Sequence, residues 1–125
     1  MIGFLRKKKR VLVLDDDVSM QKLVATLLRR DGHRVDVVGQ GNRAIESLKS
    51  GQYDAILLDL MMPHEGGMTV IRHLRENDPK MLGRVILLTA TPESVLKTIS
   101  GEVFGVVRKP FEHKELTDAV RKVLG

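Results

Sequence analysis

The sequence predicts an α/β protein, a doubly wound five-stranded parallel sheet covered by helices on both faces. Three observations carry this. Five short runs, mostly β-branched residues or leucine, occur along the chain, as expected of strands buried on both sides. The segments between them place apolar residues at helical spacing. Runs and helical segments alternate strictly from one end to the other.

The elements follow in order. Val11–Leu14 is the first strand. Met20, Leu23, Val24, Leu27 and Leu28 then recur at i, i+3, i+4, i+7 and i+8, a helix with Ser19 as its expected N-cap and Gly32 as its stop. Val35–Val38 is the second strand, and Ala44, Ile45 and Leu48 mark a shorter helix. Ala55–Leu58 is the third strand. Met68, Ile71 and Leu74 mark a helix ended by Asn77-Asp78-Pro79. Val85–Leu88 is the fourth strand, followed by a helix from Pro92 to about Ser100 with a narrow apolar face of Val95, Leu96 and Ile99. Val103–Val107 is the fifth strand. Leu116, Ala119, Val120, Val123 and Leu124 complete the last helix. The 125 residues suit one domain, read as a basic tail over 1–10 and a single domain over 11–125.

Composition removes several function classes. There is no cysteine, so disulfide scaffolds, thiolate metal sites and cysteine nucleophiles are excluded, and a reducing, cytoplasmic setting is expected. No apolar run approaches the about 20 residues of a membrane span, so no membrane insertion is expected. The chain carries 21 basic and 16 acidic residues, but Arg6, Lys7, Lys8, Lys9 and Arg10 are five of the basic ones, and the rest of the chain is neutral. Aromatics are 3% of the chain. A surface for single-stranded nucleic acid stacks bases on aromatics beside a basic groove, so no nucleic acid is expected on this domain. The tail reads as a solvated leader, with electrostatic adhesion to nucleic acid or anionic lipid as the alternative.

In a doubly wound sheet the ligand sits beyond the carboxyl ends of the strands. There the sequence places Asp15-Asp16-Asp17, Asp59, Thr89-Ala90 and Lys109-Pro110. Crowded carboxylates repel one another unless a cation joins them. Hard oxygen ligands in small number suit Mg²⁺, which keeps several waters and is often shared with phosphate. A lysine opposite is a point charge for a phosphate oxygen, and a threonine hydroxyl adds a neutral donor. Together these are the parts for moving a phosphoryl group onto or off a carboxylate. Asp17 is read as a turn or cap residue.

VLVLDDDVSM, YDAILLDLMMPHEGG, VILLTATPES and VVRKPF resemble the receiver domain of two-component response regulators, over Val11 to Leu124. The resemblance implies the (βα)5 flavodoxin-like fold with strand order 2-1-3-4-5. It implies Asp59 as the phosphoacceptor in a phosphorelay, charged by a histidine kinase or phosphotransfer protein. It implies Mg²⁺ (or Mn²⁺) held by Asp16, Asp59 and the Met61 carbonyl, with Asp15 assisting through water. Lys109 would pair with the phosphoryl group, Thr89 would hydrogen-bond it, and Ala90 completes the Thr-Ala pair. The Lys109–Pro110 bond would be cis. Pro63 and Gly67 fit the loop after the phosphoacceptor, where Gly66-Gly67 would permit unusual dihedrals. A weak homodimer through the fourth helix, fifth strand and fifth helix is a further expectation. Without an effector domain, the expectation is a lone receiver or a fragment of a longer regulator, with its target unknown.

Two departures stand out. The family's switch aromatic, three residues before the lysine, is replaced by Val106. Phe104 lies two residues earlier, on the same face of an extended strand, and is expected to take that role. Gly101 is also one residue further from Lys109 than usual. Met61 and Thr91 occupy variable positions that in this family influence hydrolysis.

Other features compete weakly. GQGNRA at Gly39–Ala44 matches a dinucleotide fingerprint, but it follows the second strand and leaves no room for a second nucleotide half. His64 is read as a solvated loop residue rather than a catalytic base, and His33, His73 and His113 do not cluster. Met62 is read as loop packing. Two rival functions remain: a Mg²⁺-dependent aspartyl-phosphate phosphohydrolase, which would want a carboxylate where Met61 stands, and a phosphate-independent pseudo-receiver.

Overall fold

A computed structural model describes residues 8–63 and 66–125. Its elements are β1 (Arg10–Leu14), α1 (Val18–Arg30), β2 (Arg34–Val38), α2 (Gly41–Ser50), β3 (Ala55–Leu58), α3 (Gly67–Asn77), a 3-10 helix (Pro79–Arg84), β4 (Val85–Thr89), α4 (Glu93–Ile99), β5 (Gly105–Arg108) and α5 (His113–Leu124). The strands form one sheet of order β2-β1-β3-β4-β5 with every pair parallel. This is the predicted flavodoxin-like arrangement.

Because successive strand residues face opposite ways, each aliphatic run supplies both sides of the sheet. Leu12, Leu14, Ile56, Leu58, Val85 and Leu87 pack against Ala44 of α2, Val70, Ile71 and Leu74 of α3, and Leu96 and Ile99 of α4. Val11, Val13, Ala55, Leu57, Ile86 and Leu88 pack against Val24, Ala25 and Leu28 of α1 and Leu116 and Val120 of α5. β3 is buried at all four positions and lies at the centre of the sheet.

Several local expectations need correction. β5 begins at Gly105, not Val103. Val103 is a buried residue of the α4–β5 connection, and apolar character alone had suggested a strand there. Phe104 donates its N–H to the Val85 carbonyl, the first of β4, and its side chain is 45% exposed. It therefore immediately precedes β5 at its amino end, while Val106 packs against the core. α1 is capped by Asp17, not Ser19, because the Asp17 carboxylate accepts the N–H groups of Ser19 (2.9 Å) and Met20 (3.3 Å). Gly32 follows the helix end with φ +92°, a left-handed conformation suited to glycine. β1 starts at Arg10, whose N–H is held by Asp54 and whose guanidinium bonds Asp36, so this residue belongs to the body rather than to the tail.

Candidate functional site

Each strand end is carried one residue further by an additional backbone hydrogen bond. The Asp15 N–H donates to Val38, Asp59 to Leu14 and Lys109 to Thr89. The sheet thus fixes the backbones of the site residues before their side chains meet. Asp15, Asp16 and Asp59 each offer a carboxylate oxygen, and these lie within 4.8 Å of one another. Asp15 and Asp59 are 1% and 5% exposed, while Asp16 opens to solvent. The Lys109 ammonium donates to Asp15 Oδ2 at 2.6 Å and to Asp59 Oδ2 at 3.1 Å. Asp59 Oδ1 accepts the Met61 N–H and the Thr89 hydroxyl, both at 2.9 Å.

Burial pushes the Asp15 carboxyl above its ordinary value, and the Lys109 and Asp17 hydrogen bonds offset this only in part. Burial also acts against the Lys109 ammonium, but the Asp15 and Asp59 carboxylates outweigh it, so its pKa is raised. One ammonium facing three carboxylates leaves a negative crevice that attracts a cation. The donors are all oxygen, and the exposed side at Asp16 leaves room for retained waters. These residues fit Mg²⁺.

The Thr89 hydroxyl is itself held from behind. Thr91 Oγ1 lies 2.7 Å from Thr89 Oγ1, and the Thr91 N–H reaches the same oxygen at 3.3 Å. A hydroxyl has one proton. Since Thr89 gives its proton to a carboxylate, Thr91 must donate to Thr89. The result is a directed chain, Thr91 to Thr89 to Asp59, with both threonines buried. Each link polarises the next. The i, i+2 spacing in TAT was legible in the sequence, but not the burial of Thr91.

Gly67 has an unexpected reason. Neither Gly66 nor Gly67 has a positive φ. Instead, a Cβ on Gly67 would lie 2.6 Å from the Asp59 carbonyl oxygen, which accepts the Gly67 N–H at 2.9 Å. The glycine lets α3 start directly against the end of β3. Gln21, not singled out by the sequence, donates to the Asp15 carbonyl from the first turns of α1. The Lys109–Pro110 peptide is cis, and both Pro110 and Ala90 are exposed beside the crevice. Met61 is 57% exposed at its mouth. Met62 packs partly into the core. Val106 and Phe104 are not part of the cluster, and His64 lies outside the described residues. Gly41 is simply the first residue of α2.

The family model for the response regulator receiver domain matches residues 11–121. The chain belongs to this family. The receiver is 36% identical over 114 residues to the DNA-binding response regulator MtrA of Mycolicibacterium smegmatis, covering 91% of this chain and 50% of that protein. It is 33% identical over 115 residues to the transcriptional regulatory protein DltR of Streptococcus agalactiae, covering 90% of this chain and 50% of that one. The receiver thus spans about half the length of the curated relatives it matches. Among solved structures, it superposes with a TM-score of 0.82 on the response regulator protein TrrA of Thermotoga maritima, solved in complex with Mg²⁺-BeF. That match is 32% identical and covers 93% of this chain and 99% of that one. Among the described residues, no helix of the receiver is long and apolar enough to cross a membrane.

Proposed function

We propose that this receiver takes a phosphoryl group onto Asp59 from a histidine kinase or phosphotransfer protein and changes its partner surface in response. The observation that carries the reading is the environment of one carboxylate. Asp59 ends the central strand, nearly buried, with Lys109 on one oxygen and Thr89 and the Met61 N–H on the other. An Asp59 oxygen attacks phosphorus as the donor's P–N bond breaks, and the departing imidazole nitrogen keeps the electron pair. Lys109 and Thr89 are placed to receive the charge on the phosphoryl oxygens. Asp15, Asp16 and Asp59 would hold Mg²⁺, with the Met61 carbonyl as the further family ligand, and the ion would neutralise charge on the transferred group. The Mg²⁺-BeF complex of the TrrA relative supports this ligand chemistry.

The phosphohydrolase reading lacks its acid/base, since Met61 stands where the second carboxylate would be. The pseudo-receiver reading sits poorly with a complete acceptor cluster. Acetyl phosphate tests all three. With Mg²⁺, the parent should accumulate a stable acyl phosphate, while Asp59→Asn and the parent with chelator should not. Rapid turnover without accumulation would favour a hydrolase. Equal labelling of Asp59→Asn would move the acceptor elsewhere.

A further inference from the structure

We propose that the pole of the sheet opposite the phosphorylation crevice is a docking surface for an anionic phospholipid bilayer. The strands begin at this pole. Lys8, the first described residue, lines two adjoining grooves, one of about 550 Å³ with Arg10, Arg34 and Asp54, the other of about 660 Å³ with Lys9, Asp31, His33 and Arg121. Two of the acids here are paired, Asp36 with Arg10 and Asp31 with Arg121, while Asp54 accepts only the neutral Arg10 N–H and, like Asp78 beside Arg84, keeps its charge. Lys8, Lys9 and Arg34 are exposed, and among the described residues none has an ion-pair partner. Arg84 and Arg29 donate to the carbonyls of Asp54 and Val35, and among the described residues neither has an ion-pair partner.

Part of this charge has an ordinary cause. Arg29, Arg30, Arg121 and Lys122 lie in the last turns of α1 and α5, where cations complement the helix carbonyls. Arg84 likewise ends the 3-10 helix, but Lys8, Lys9 and Arg34 lie at or just before the starts of β1 and β2 and have no such cause. They leave the face net basic.

The kind of partner follows from shape and sequence. The pole is built of strand starts and helix carboxyl ends, so it presents no helix lengthwise to enter a nucleic-acid groove and no cluster of aromatics for stacking. The chain that joins the body here reads Met1-Ile2-Gly3-Phe4-Leu5 and then five successive basic residues, Arg6 to Arg10. An apolar cluster directly ahead of a basic one supplies the two signals that surface adsorption to anionic lipid uses, and neither suffices alone. The acidic crevice lies at the far pole. Adsorption would therefore leave Asp59 facing solvent and clear of the negative leaflet.

The test uses the full chain and sedimentation with vesicles. Phosphatidylcholine vesicles containing one-third phosphatidylglycerol should bind the protein, with affinity falling as salt rises, and pure phosphatidylcholine should not. Each basic residue near such a surface is worth about fivefold in partitioning, so Lys9→Glu/Arg34→Glu should weaken binding at least about 30-fold. Lys22→Glu/Lys114→Glu changes the net charge equally, near the amino ends of α1 and α5 and so away from the pole, and should cost much less. Phe4→Ser/Leu5→Ser should weaken binding with the charge unchanged. Labelling of Asp59 by acetyl phosphate should be the same in all variants, which shows that they fold and separates this proposal from the acceptor assignment. Equal losses in the two charge pairs would reduce the effect to net charge and overturn the proposal. So would tighter binding to duplex DNA, lost in the pole variant alone, which would assign the surface to nucleic acid.

Discussion

Removing the Thr91 hydroxyl separates proton orientation from packing behind the crevice. Thr91→Val keeps the shape and deletes the donor to Thr89. A neutral hydrogen bond is worth about 1 kcal/mol, so the rate of Asp59 labelling by acetyl phosphate should fall about fivefold. Thr91→Ser should restore it, while the thermal midpoint need not follow. Identical rates for the valine and serine variants would make Thr91 a packing residue only. Gly67 gives the opposite kind of test. Its Cβ position is blocked by the Asp59 carbonyl at 2.6 Å, so Gly67→Ala must displace the start of α3 or the acceptor itself. A loss above about 2 kcal/mol in urea unfolding is expected, well beyond an ordinary surface substitution. At this scale the sequence was a partial guide. Asp15, Asp59, Thr89 and Lys109 were legible because a doubly wound sheet gathers whatever follows its strands. The roles of Thr91 and Gly67 were not, because both depend on distances across the fold.

Elements were legible where burial on two faces wrote an unbroken aliphatic run, as in β1, β3 and β4, while β2 was read through its exposed Asp36. β1 to β4 match their runs to within one residue at each end. β5 does not, because Val103 is buried from a loop and mimics a strand residue. The 3-10 helix left no periodic signal. It is one short segment, held by the Met81 N–H on Asp78 and the burial of Leu82. The α5 cap was also missed, since glutamate is an uncommon N-cap, yet Glu112 and Glu115 form a reciprocal capping box. The carboxyl ends of α1 and α5 are tied together by Arg121, whose guanidinium bonds both Asp31 oxygens. That hydrogen bonding, with the adjacent Arg121 and His33 charges, holds the Asp31 carboxyl below its ordinary value despite some burial. The sign follows from linkage. A depressed folded pKa adds stability above the unfolded value near about 3.9, and this is lost as pH falls through the folded value. The parent should therefore exceed Arg121→Gln in urea midpoint at neutral pH, and the gap should close in acid. A gap independent of pH would mean that the contact acts through packing alone.

For the molecule as a whole, β3 couples the two cores, since Ile56 and Leu58 belong to one and Ala55 and Leu57 to the other. Leu57 is fully buried in its centre, and Leu57→Ala should cost about 2–5 kcal/mol. Against a total of about 5–15 kcal/mol for a domain, that is a large share. The urea midpoint should fall with the slope unchanged; a loss under about 1 kcal/mol would mean that the site collapses around the smaller side chain. The margins of the sheet carry a different consequence. β2 is five residues long and exposes Arg34 and Asp36, and β5 is four residues long and ends on the exposed Arg108. Lateral growth into cross-β fibrils feeds on long, flat, uncharged margins with amides to spare. Here both margins are short and carry charge, so the same sheet that concentrates chemistry at one pole offers a neighbouring chain almost no template along its sides.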